Sequence, residues 1–354
     1  MNLEKVRKEI DTIDFEIIKL IKRRMELALT SKKFKDKVFD PEREKKVLEN
    51  VVNYAHGVIS PRFTKELFNV ILKESKELQS RDYKLIAFQG EHGAYGEISV
   101  ESFDKKGIAI PLNTFAEVFH GVEKGYYDYG VVPVENSLGG SILDVNSLLT
   151  KHDVYVVKEI PVKIQHSLLV LPDTNYRDIR VVYSHPQALS QCKNFLERHN
   201  FEARPYYDTA GAAKMLFEEK LDSAAVIANK LCAKLYHLEI LMENIEDHSE
   251  NITRFFVISN KPKTKGEKTS IIFSTKHKAG SLFKILEIFA ENKINLTRIE
   301  SMAISGKPNN YMFFIDFEGS TEESNVEKAL KLVKGKTEFY KWLGSYEKGA
   351  IVCE

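Results

Sequence analysis

At 354 residues the chain is long enough for two or three domains, each with a core of its own. Its 52 Lys and Arg against 51 Asp and Glu leave a formal net charge of +1, so no basic surplus points to nucleic acid, and no apolar run reaches the roughly 18 residues of a membrane span. Met1-Asn2-Leu3-Glu4-Lys5 leads into a charged helix rather than a signal peptide, and Cys192, Cys232 and Cys353 fall at no metal-ligand or redox spacing. A cytoplasmic protein with reduced thiols, no metal and no cofactor is therefore expected.

Residues 1–81 read as three helices with nothing strand-like between them. On the first, Leu3, Val6, Ile10, Ile13, Ile17, Leu20 and Leu27 recur at alternating steps of three and four, the pattern of a long helix packed along its length against partner helices. Arg24 fills one position of that seam. An unpaired buried charge costs on the order of several kcal/mol, so Arg24 implies either a structural carboxylate partner or a pocket for an anionic ligand. The seam is too long for three helices of one chain and predicts a bundle shared in a homodimer or higher homo-oligomer. Asp40-Pro41 and Ser60-Pro61 each set an N-cap before a proline at the first helical position and start the second and third helices. Glu44 intrudes on the apolar line of Leu48, Val51 and Ala55, with Arg43 one position back, and Ser75 and Gln79 continue the line of Leu67 and Ile71. Each alone is compatible with a satisfied core polar group. Arg7, Arg24, Lys35, Arg43, Glu44, Ser75 and Gln79 together describe a site for a small dianion bearing a hydroxyl.

From Tyr83 short apolar runs alternate with helical stretches: Leu85 to Phe88, Gly130 to Val134, Ser167 to Leu171, Arg180 to Tyr183, Ala224 to Ile227 and Arg254 to Ser259. This is an α/β sign. Gly90 to Gly96, Ser184 to Gln187, Asp208 to Gly211 and Asn229 pair strand ends with helix starts, whose free N–H groups suit carboxylates or phosphates. The glycine loop lacks dinucleotide and P-loop spacing and, taken alone, reads first as a plain strand-to-helix turn. Asn260 to Lys268 is a Lys/Pro/Gly linker. Beyond it, Ser270 to Ser274, Ser281 to Asn292, Leu296 to Ile304, Tyr311 to Phe317, Glu322 to Val333 and Phe339 to Tyr346 run strand, helix, strand, strand, helix, strand, a ferredoxin-like α+β order.

The first region resembles the all-helical chorismate mutase class through Val6 to Asp11, Lys22 to Ala28, Lys35, Asp40 to Glu44 and Ser75 to Gln79. The resemblance implies that Arg24 and an Arg7 from a partner chain hold two carboxylates. Lys35 and Gln79 would donate to the ether oxygen, Glu44 would bind the ring hydroxyl, and Asp40, Arg43 and Ser75 would join the substrate contacts. The rearrangement of chorismate is unimolecular and needs no nucleophile, so holding the reactive conformer and stabilising oxygen charge is sufficient.

Val132 to Ser137, Gln165 to Val170, Tyr183 to Gln187 and Asn251 to Phe255 resemble prephenate dehydratase, in the same order along the chain. By that resemblance Thr253 is the proton donor, and the substrate contacts are Glu135, Asn136, Ser137, His166, Ser184, His185, Gln187, Gln191, Thr209 and Arg254, in a cleft between two lobes. Decarboxylation supplies electrons and the hydroxyl leaves as water, so one positioned donor and an apolar floor suffice. The bland alternative makes Thr253 an ordinary β-branched strand residue and His166 and His185 core histidines. Asp208 to Lys214 looks more like the arogenate dehydratase form of its loop.

Residues 269–354 resemble an ACT domain, the amino-acid-binding module attached to such dehydratases, with Gly280-Ser281-Leu282-Phe283 and Glu300-Ser301-Met302-Ala303 at the positions of its two motifs. Gly280, Ser281, Leu282, Asn295, Glu300 and Ser301 are the implied phenylalanine contacts, at an interface between two C-terminal regions. The expected organisation is therefore a helical mutase domain (1–81), a two-lobed α/β dehydratase domain (83–259) and a ferredoxin-like α+β regulatory domain (269–354), with chorismate and prephenate as substrates and phenylalanine as effector. Two rivals stand beside it. One is a monofunctional prephenate or arogenate dehydratase whose helices serve only for dimerisation. The other is a two-lobed small-molecule binding protein, favoured if Thr253 is buried away from the cleft.

Overall fold

Each N-cap and proline pair starts its helix where the spacing predicts. The computed structural model describes residues 3–35, 39–304, 306–307 and 309–354, the side chain of Lys5 excepted. Helix α1 spans Leu3–Lys32. In α2, Pro41–Tyr54, the Asp40 side chain accepts from the Arg43 N–H, and in α3, Pro61–Ser80, the Ser60 side chain accepts from that of Phe63. Residues 1–85 form one compact unit, in which α3 packs against both α1 and α2. Helix α3 buries Thr64, Ile71, Ser75 and Gln79. Much of the α1 seam stays open in the single chain: Leu20 is 70% exposed, and Leu3, Ile10, Ile13, Ile17 and Leu27 are also exposed.

Residues 86–354 form the second unit. Its elements are β1 (Leu85–Gln89), α4 (Tyr95–Phe103), β2 (Ile108–Leu112), α5 (Phe115–Glu123), β3 (Tyr129–Asn136), β4 (Gly140–Ser141), α6 (Leu143–Lys151), β5 (Tyr155–Lys163), β6 (Ser167–Val170), β7 (Val181–Ser184), α7 (Pro186–Gln191), α8 (Lys193–Arg198), β8 (Glu202–Pro205), α9 (Thr209–Glu219), β9 (Ala224–Ala228), α10 (Lys230–Leu235), β10 (Glu239–Met242) and β11 (Ile252–Ser259). They build two sheets, ordered β2-β1-β3-β11-β5 with β4 on β3, and β10-β6-β9-β7-β8. The chain crosses from the first lobe to the second after β5 and returns at β11, so β11 lies deep in the first sheet although it comes last. There it pairs antiparallel with β3 and β5, setting Thr253 opposite Asn136 and Arg254 opposite Glu135.

The remainder, β12 (Lys268–Ser274), α11 (Ser281–Glu291), β13 (Leu296–Ala303), β14 (Tyr311–Glu318), α12 (Ser324–Lys336) and β15 (Phe339–Tyr346), forms an antiparallel sheet in the order β13-β14-β12-β15. This is the ferredoxin-like arrangement, with the apolar faces of α11 and α12 on a core of Ile271, Phe273, Ile285, Phe289, Ile315 and Phe317. Strand β15 packs on β5, and the chain after it bridges the same strand at Lys158–Glu347 and Val162–Val352. Gly344 has a positive φ of +129° at this crossing, where a Cβ would overlap the Val156 carbonyl oxygen.

Candidate functional site

A cleft of about 760 Å³ opens between the two lobes. Its first-lobe wall contains Asn136 from the end of β3, Thr253 and Phe255 from β11, Asn113 to Ala116 at the start of α5, and Ile142, Asp144, Ser147, Leu148 and Lys151 on and before α6. The second-lobe wall contains His185, Gln187, Ala188 and Gln191 around α7, and Tyr207, Asp208 and Thr209 at the start of α9. His166, beside the crossing between lobes, and Tyr95 also line it, with Gln89, Pro133 and Ile164. Seven residues expected from the sequence thus converge: Asn136, His166, His185, Gln187, Gln191, Thr209 and Thr253.

The first wall is held by one buried amide. Asn136 Oδ1 accepts from the Leu138 and Gly139 N–H groups at 3.0 and 2.7 Å, which fixes which side of the amide is oxygen. Its Nδ2 therefore donates, to Thr253 Oγ1 at 2.9 Å and to Asn251 Oδ1 at 2.7 Å. A hydroxyl that accepts from an amide keeps its own proton for another acceptor. Thr253 is accordingly set to donate, and it borders the cleft. Since Thr253 is not buried away from the cleft, the condition favouring a plain binding protein is not met.

On the second wall, His166 Nε2 lies 2.9 Å from Gln191 Oε1, while its buried Nδ1 has no partner among the described residues. Burial lowers the His166 pKa, against the Gln191 hydrogen bond, and keeps the ring neutral near pH 7. Burial also lowers the pKa of His185, against the pull of Asp208. The two histidines thus add polar edges rather than firm positive charge. Asp208 caps α9 through the Ala210 N–H, and burial raises its pKa. Tyr207 donates to Glu91 Oε1, and the Tyr95 hydroxyl donates to the Gln165 carbonyl, where burial raises its pKa well above the usual range.

Four expected contacts do not line the cleft. Ser184 is fully buried with its Oγ donating to the Ile227 carbonyl at 2.6 Å, so it ties β7 to β9. Ser137 Oγ bonds Glu250 O and Ile252 N and holds the start of β11. Arg254 and Glu135 follow and precede cleft residues in their strands, and alternation turns them to the opposite face. There Arg254 reaches Glu135 at 2.8 Å, Glu159 at 3.1 Å and Asp316 at 2.6 Å. Burial works against its charge, but Asp316 and Glu135 outweigh it and raise the pKa well above the ordinary value. The sequence reading of Arg254 and Glu135 as substrate contacts is corrected accordingly: they brace the sheet. Tyr95, Asn113 to Ala116 and the α6 residues are cleft residues the sequence reading did not select. One had a readable signal, since Thr114 and Glu117 form a capping box at the start of α5.

In the helical unit, Arg24 Nη1 is buried with no hydrogen-bond partner among the described residues, and burial together with the nearby Arg43 charge lowers its pKa. Among the described residues no carboxylate is paired with that nitrogen. Gln79 donates to Ser75 Oγ at 3.4 Å, and its buried Oε1 has no hydrogen-bond partner among the described residues. Glu44 pairs with Lys76 at 3.1 Å. Asp40 spends its side chain on the α2 cap, Arg43 is exposed, and so are Lys35 and Arg7. Arg7 and Arg24 lie 17 residues apart on one helix, about 25 Å at 1.5 Å per residue. They cannot hold one small dianion within a single chain.

The expected phenylalanine contacts separate in the same way. Ser281 and Leu282, next to the left-handed Gly280, border a hollow of about 150 Å³ with Tyr311 and Phe313. Asn295 donates to Glu318, at the far end of the strand that begins at Tyr311, seven residues or about 23 Å away. Glu300 and Ser301 lie on β13 opposite Phe314 and Phe313.

Residues 6–80 match the Chorismate mutase type II family, residues 86–263 Prephenate dehydratase and residues 269–332 the ACT domain. The chain is 37% identical to the bifunctional chorismate mutase/prephenate dehydratase of Aquifex aeolicus, over 99% of each chain. It is 38% identical to arogenate dehydratase/prephenate dehydratase 2 of Arabidopsis thaliana, over 81% of this chain and 78% of that one. Prephenate dehydratase from Arthrobacter aurescens, solved in complex with L-Phe, superimposes with a TM-score of 0.70 and 27% identity, over 74% of this chain and 90% of that one. The chain belongs to the family of bifunctional chorismate mutase/prephenate dehydratases.

Proposed function

We propose that the chain converts chorismate to prephenate in its helical unit and prephenate to phenylpyruvate in the cleft between lobes, under feedback control by phenylalanine. The observation that carries the second step is the orientation of Asn136, which leaves the Thr253 proton directed away from its own hydrogen bond. Thr253 protonates the departing ring hydroxyl as the ring carboxylate leaves as carbon dioxide; the C–C bonding pair becomes part of the new aromatic ring, the hydroxyl departs as water, and Thr253 regains its proton from solvent. Phe255, Leu148 and Ile142 supply the apolar lining that favours loss of a charged carboxylate. Gln187, Gln191, His166, His185 and Thr209 hold the remaining oxygens.

Arg24 supports the first step, because its buried Nη1 has no hydrogen-bond partner among the described residues and suits a substrate carboxylate. The partner subunit's Arg7 completes that pocket in a homodimer, whose formation also covers the open α1 seam. Lys35, Gln79 and Glu44 bind the ether oxygen and hydroxyl, with Asp40, Arg43 and Ser75 around them. The working domains are 1–81, 83–259 and 269–354, and phenylalanine binds Gly280, Ser281 and Leu282 of one chain with Asn295, Glu300 and Ser301 of another. Among the described residues no helix is long and apolar enough to cross a membrane, and we place the enzyme in the cytoplasm. Purified protein given chorismate alone should accumulate phenylpyruvate; accumulation of prephenate instead would remove the dehydratase assignment, and no consumption of chorismate would remove the mutase assignment. Repeating the assay with arogenate tests the resemblance of the Asp208 to Lys214 loop.

A further inference from the structure

Behind the Thr253–Asn136 pair, on the face of the sheet turned away from the cleft, five buried charges and the half-buried Glu135 close into one cluster. Arg254, Glu135 and Glu159 come from β11, β3 and β5, and Lys268, Arg298 and Asp316 come from β12, β13 and β14. One net negative charge on the dehydratase side thus faces one net positive charge on the ferredoxin-like side. Arg254 Nη2 donates to Asp316 Oδ2 at 2.6 Å, Lys268 Nζ to Glu159 at 2.7 Å, and Ser270 Oγ to Asp316 Oδ1 at 2.6 Å. Arg298 Nε lies 3.1 Å from Glu135 Oε2 at an angle too poor for a hydrogen bond, so that attraction is ionic.

Arg298 differs from the rest in where it reaches. Its Nη2 also donates to Ser141 Oγ at 3.0 Å and to Asn146 Oδ1 at 3.4 Å. Each of these three partners is the sequence neighbour of a cleft residue: Glu135 precedes Asn136, Ser141 precedes Ile142, and Asn146 precedes Ser147. The β4 turn is itself fixed to β3, since Ile142 N–H donates to the Val134 carbonyl. One guanidinium from the third sheet thus holds both the strand that orients Thr253 and the short helix that forms the facing part of the wall.

Resting on the dehydratase reading above, we propose that Arg298 is a positioning residue for dehydration, and that the ferredoxin-like sheet is part of the frame of the dehydratase site. A displacement of about 1 Å at a reacting group costs up to about a hundredfold in rate. Arg298→Met keeps the apolar stem and leaves Glu135 and Asp316 paired with Arg254, so the fold has reason to survive.

The test measures kcat and KM for prephenate, chorismate consumption and melting temperature on the full-length protein, for wild type, Arg298→Met, Arg298→Lys and Ser141→Ala, with the Ser141→Ala/Arg298→Met double variant. In Arg298→Met the kcat for prephenate should fall about tenfold or more, with the smaller change in KM and unaltered chorismate consumption. Arg298→Lys should recover part of the loss, because an ammonium still attracts Glu135 but lacks the fork that spans Ser141 and Asn146. Ser141→Ala should cost about threefold and add nothing on top of Arg298→Met, the sign of a shared contact. Values for Arg298→Met within about twofold of wild type would overturn the inference, as would a loss of dehydration that only follows the folded fraction. If Arg298→Met does not fold, an unchanged kcat in both Ser141→Ala and Arg298→Lys overturns it. A wild type that consumes chorismate but leaves prephenate untouched overturns the dehydratase reading and this inference together.

Discussion

Asn136→Asp changes one atom in the arrangement that directs the Thr253 proton. The oxygen that accepts from Leu138 and Gly139 N–H keeps both bonds, while the former Nδ2 becomes an oxygen 2.9 Å from Thr253 Oγ1 and 2.7 Å from Asn251 Oδ1. Asn251 adapts readily: its Nδ2 is buried and unpartnered, so turning its amide supplies the new oxygen with a donor. Thr253 cannot do the same without ceasing to serve the substrate, because its only proton now turns toward the carboxylate. Losing a positioned proton donor lowers the rate by about 10²–10⁴, or about 2.7–5.4 kcal/mol at 1.36 kcal/mol per factor of ten. The pH dependence gives a second, sharper reading. Burial raises the pKa of an Asp at 136 while the Leu138 and Gly139 N–H groups lower it, and only its protonated form donates to Thr253 again. Dehydration by the variant should therefore gain on wild type as pH falls toward the pKa of that carboxyl. The assay is phenylpyruvate formation from prephenate between about pH 5 and pH 9, with chorismate consumption as the internal control. Activity within about threefold of wild type at pH 8 would refute the proposed direction of the Asn136–Thr253 bond.

Arg24→Met should abolish chorismate turnover, at a cost of about 2–5 kcal/mol in transition-state binding, and spare dehydration of prephenate. Because Arg24 Nη1 has no hydrogen-bond partner among the described residues and Arg43 opposes its charge, the same change should leave the melting temperature unaltered or higher; a clear fall would identify a structural arginine. Burial places the folded-state pKa of His166 below its unfolded value of about 6.5, so its contribution to stability is present above that pH and is lost as pH falls through the folded pKa. The acid limb of kcat/KM for prephenate should accordingly lie below pH 6.5, and a limb at or above it that vanishes in His166→Gln would contradict a neutral ring. Cys192 and Cys232 are buried, and burial raises both thiol pKa values, whereas Cys353 is exposed. A thiol reagent should titrate one cysteine in the folded protein and three after denaturation; rapid reaction of a second would show that the second lobe opens.

The helix starts at Asp40 and Ser60 were legible because each rests on two adjacent residues, and the ferredoxin-like order was legible because β12 and β14 carry the apolar runs Ile271 to Phe273 and Tyr311 to Ile315. Strands β5 and β8 were not. Pro161 interrupts β5, and Glu202-Ala203-Arg204-Pro205 carries little apolar character; both lie at sheet edges, where a missing N–H or a polar side chain is tolerated. The site divided along similar lines. Thr253 and Asn136 meet because two strands 117 residues apart pair in register, which only the motif resemblance could suggest. Period-two alternation would have separated Arg254 and Glu135 from their neighbours, since two adjacent residues of a strand cannot both face one cleft. Lys151 and Asp144 reach the cleft through the placement of α6, for which the sequence carries no local signal.

Charge and burial alone do not distinguish an arginine that binds substrate from one that braces a fold. Arg254 is more buried than Arg24 and carries the same charge, yet three carboxylates surround it and every expectation of a buried ion pair is met. Arg24 has instead a second cation nearby and a nitrogen with no acceptor among the described residues. The same distinction runs through the described residues. Buried side-chain atoms without partners include Arg24 Nη1 and Gln79 Oε1 in the helical unit and His166 Nδ1 and Asn251 Nδ2 at the cleft, each in or directly behind a proposed site. Trp342 Nε1 is an exception for which the structure offers no explanation, and Arg298 Nε is compensated by Glu135. A folded chain leaves few such atoms unmatched, because each costs about 1–3 kcal/mol. Their grouping at the two proposed sites, with the charges around Arg254 matched by carboxylates, separates groups that can bind a substrate from groups that brace the fold.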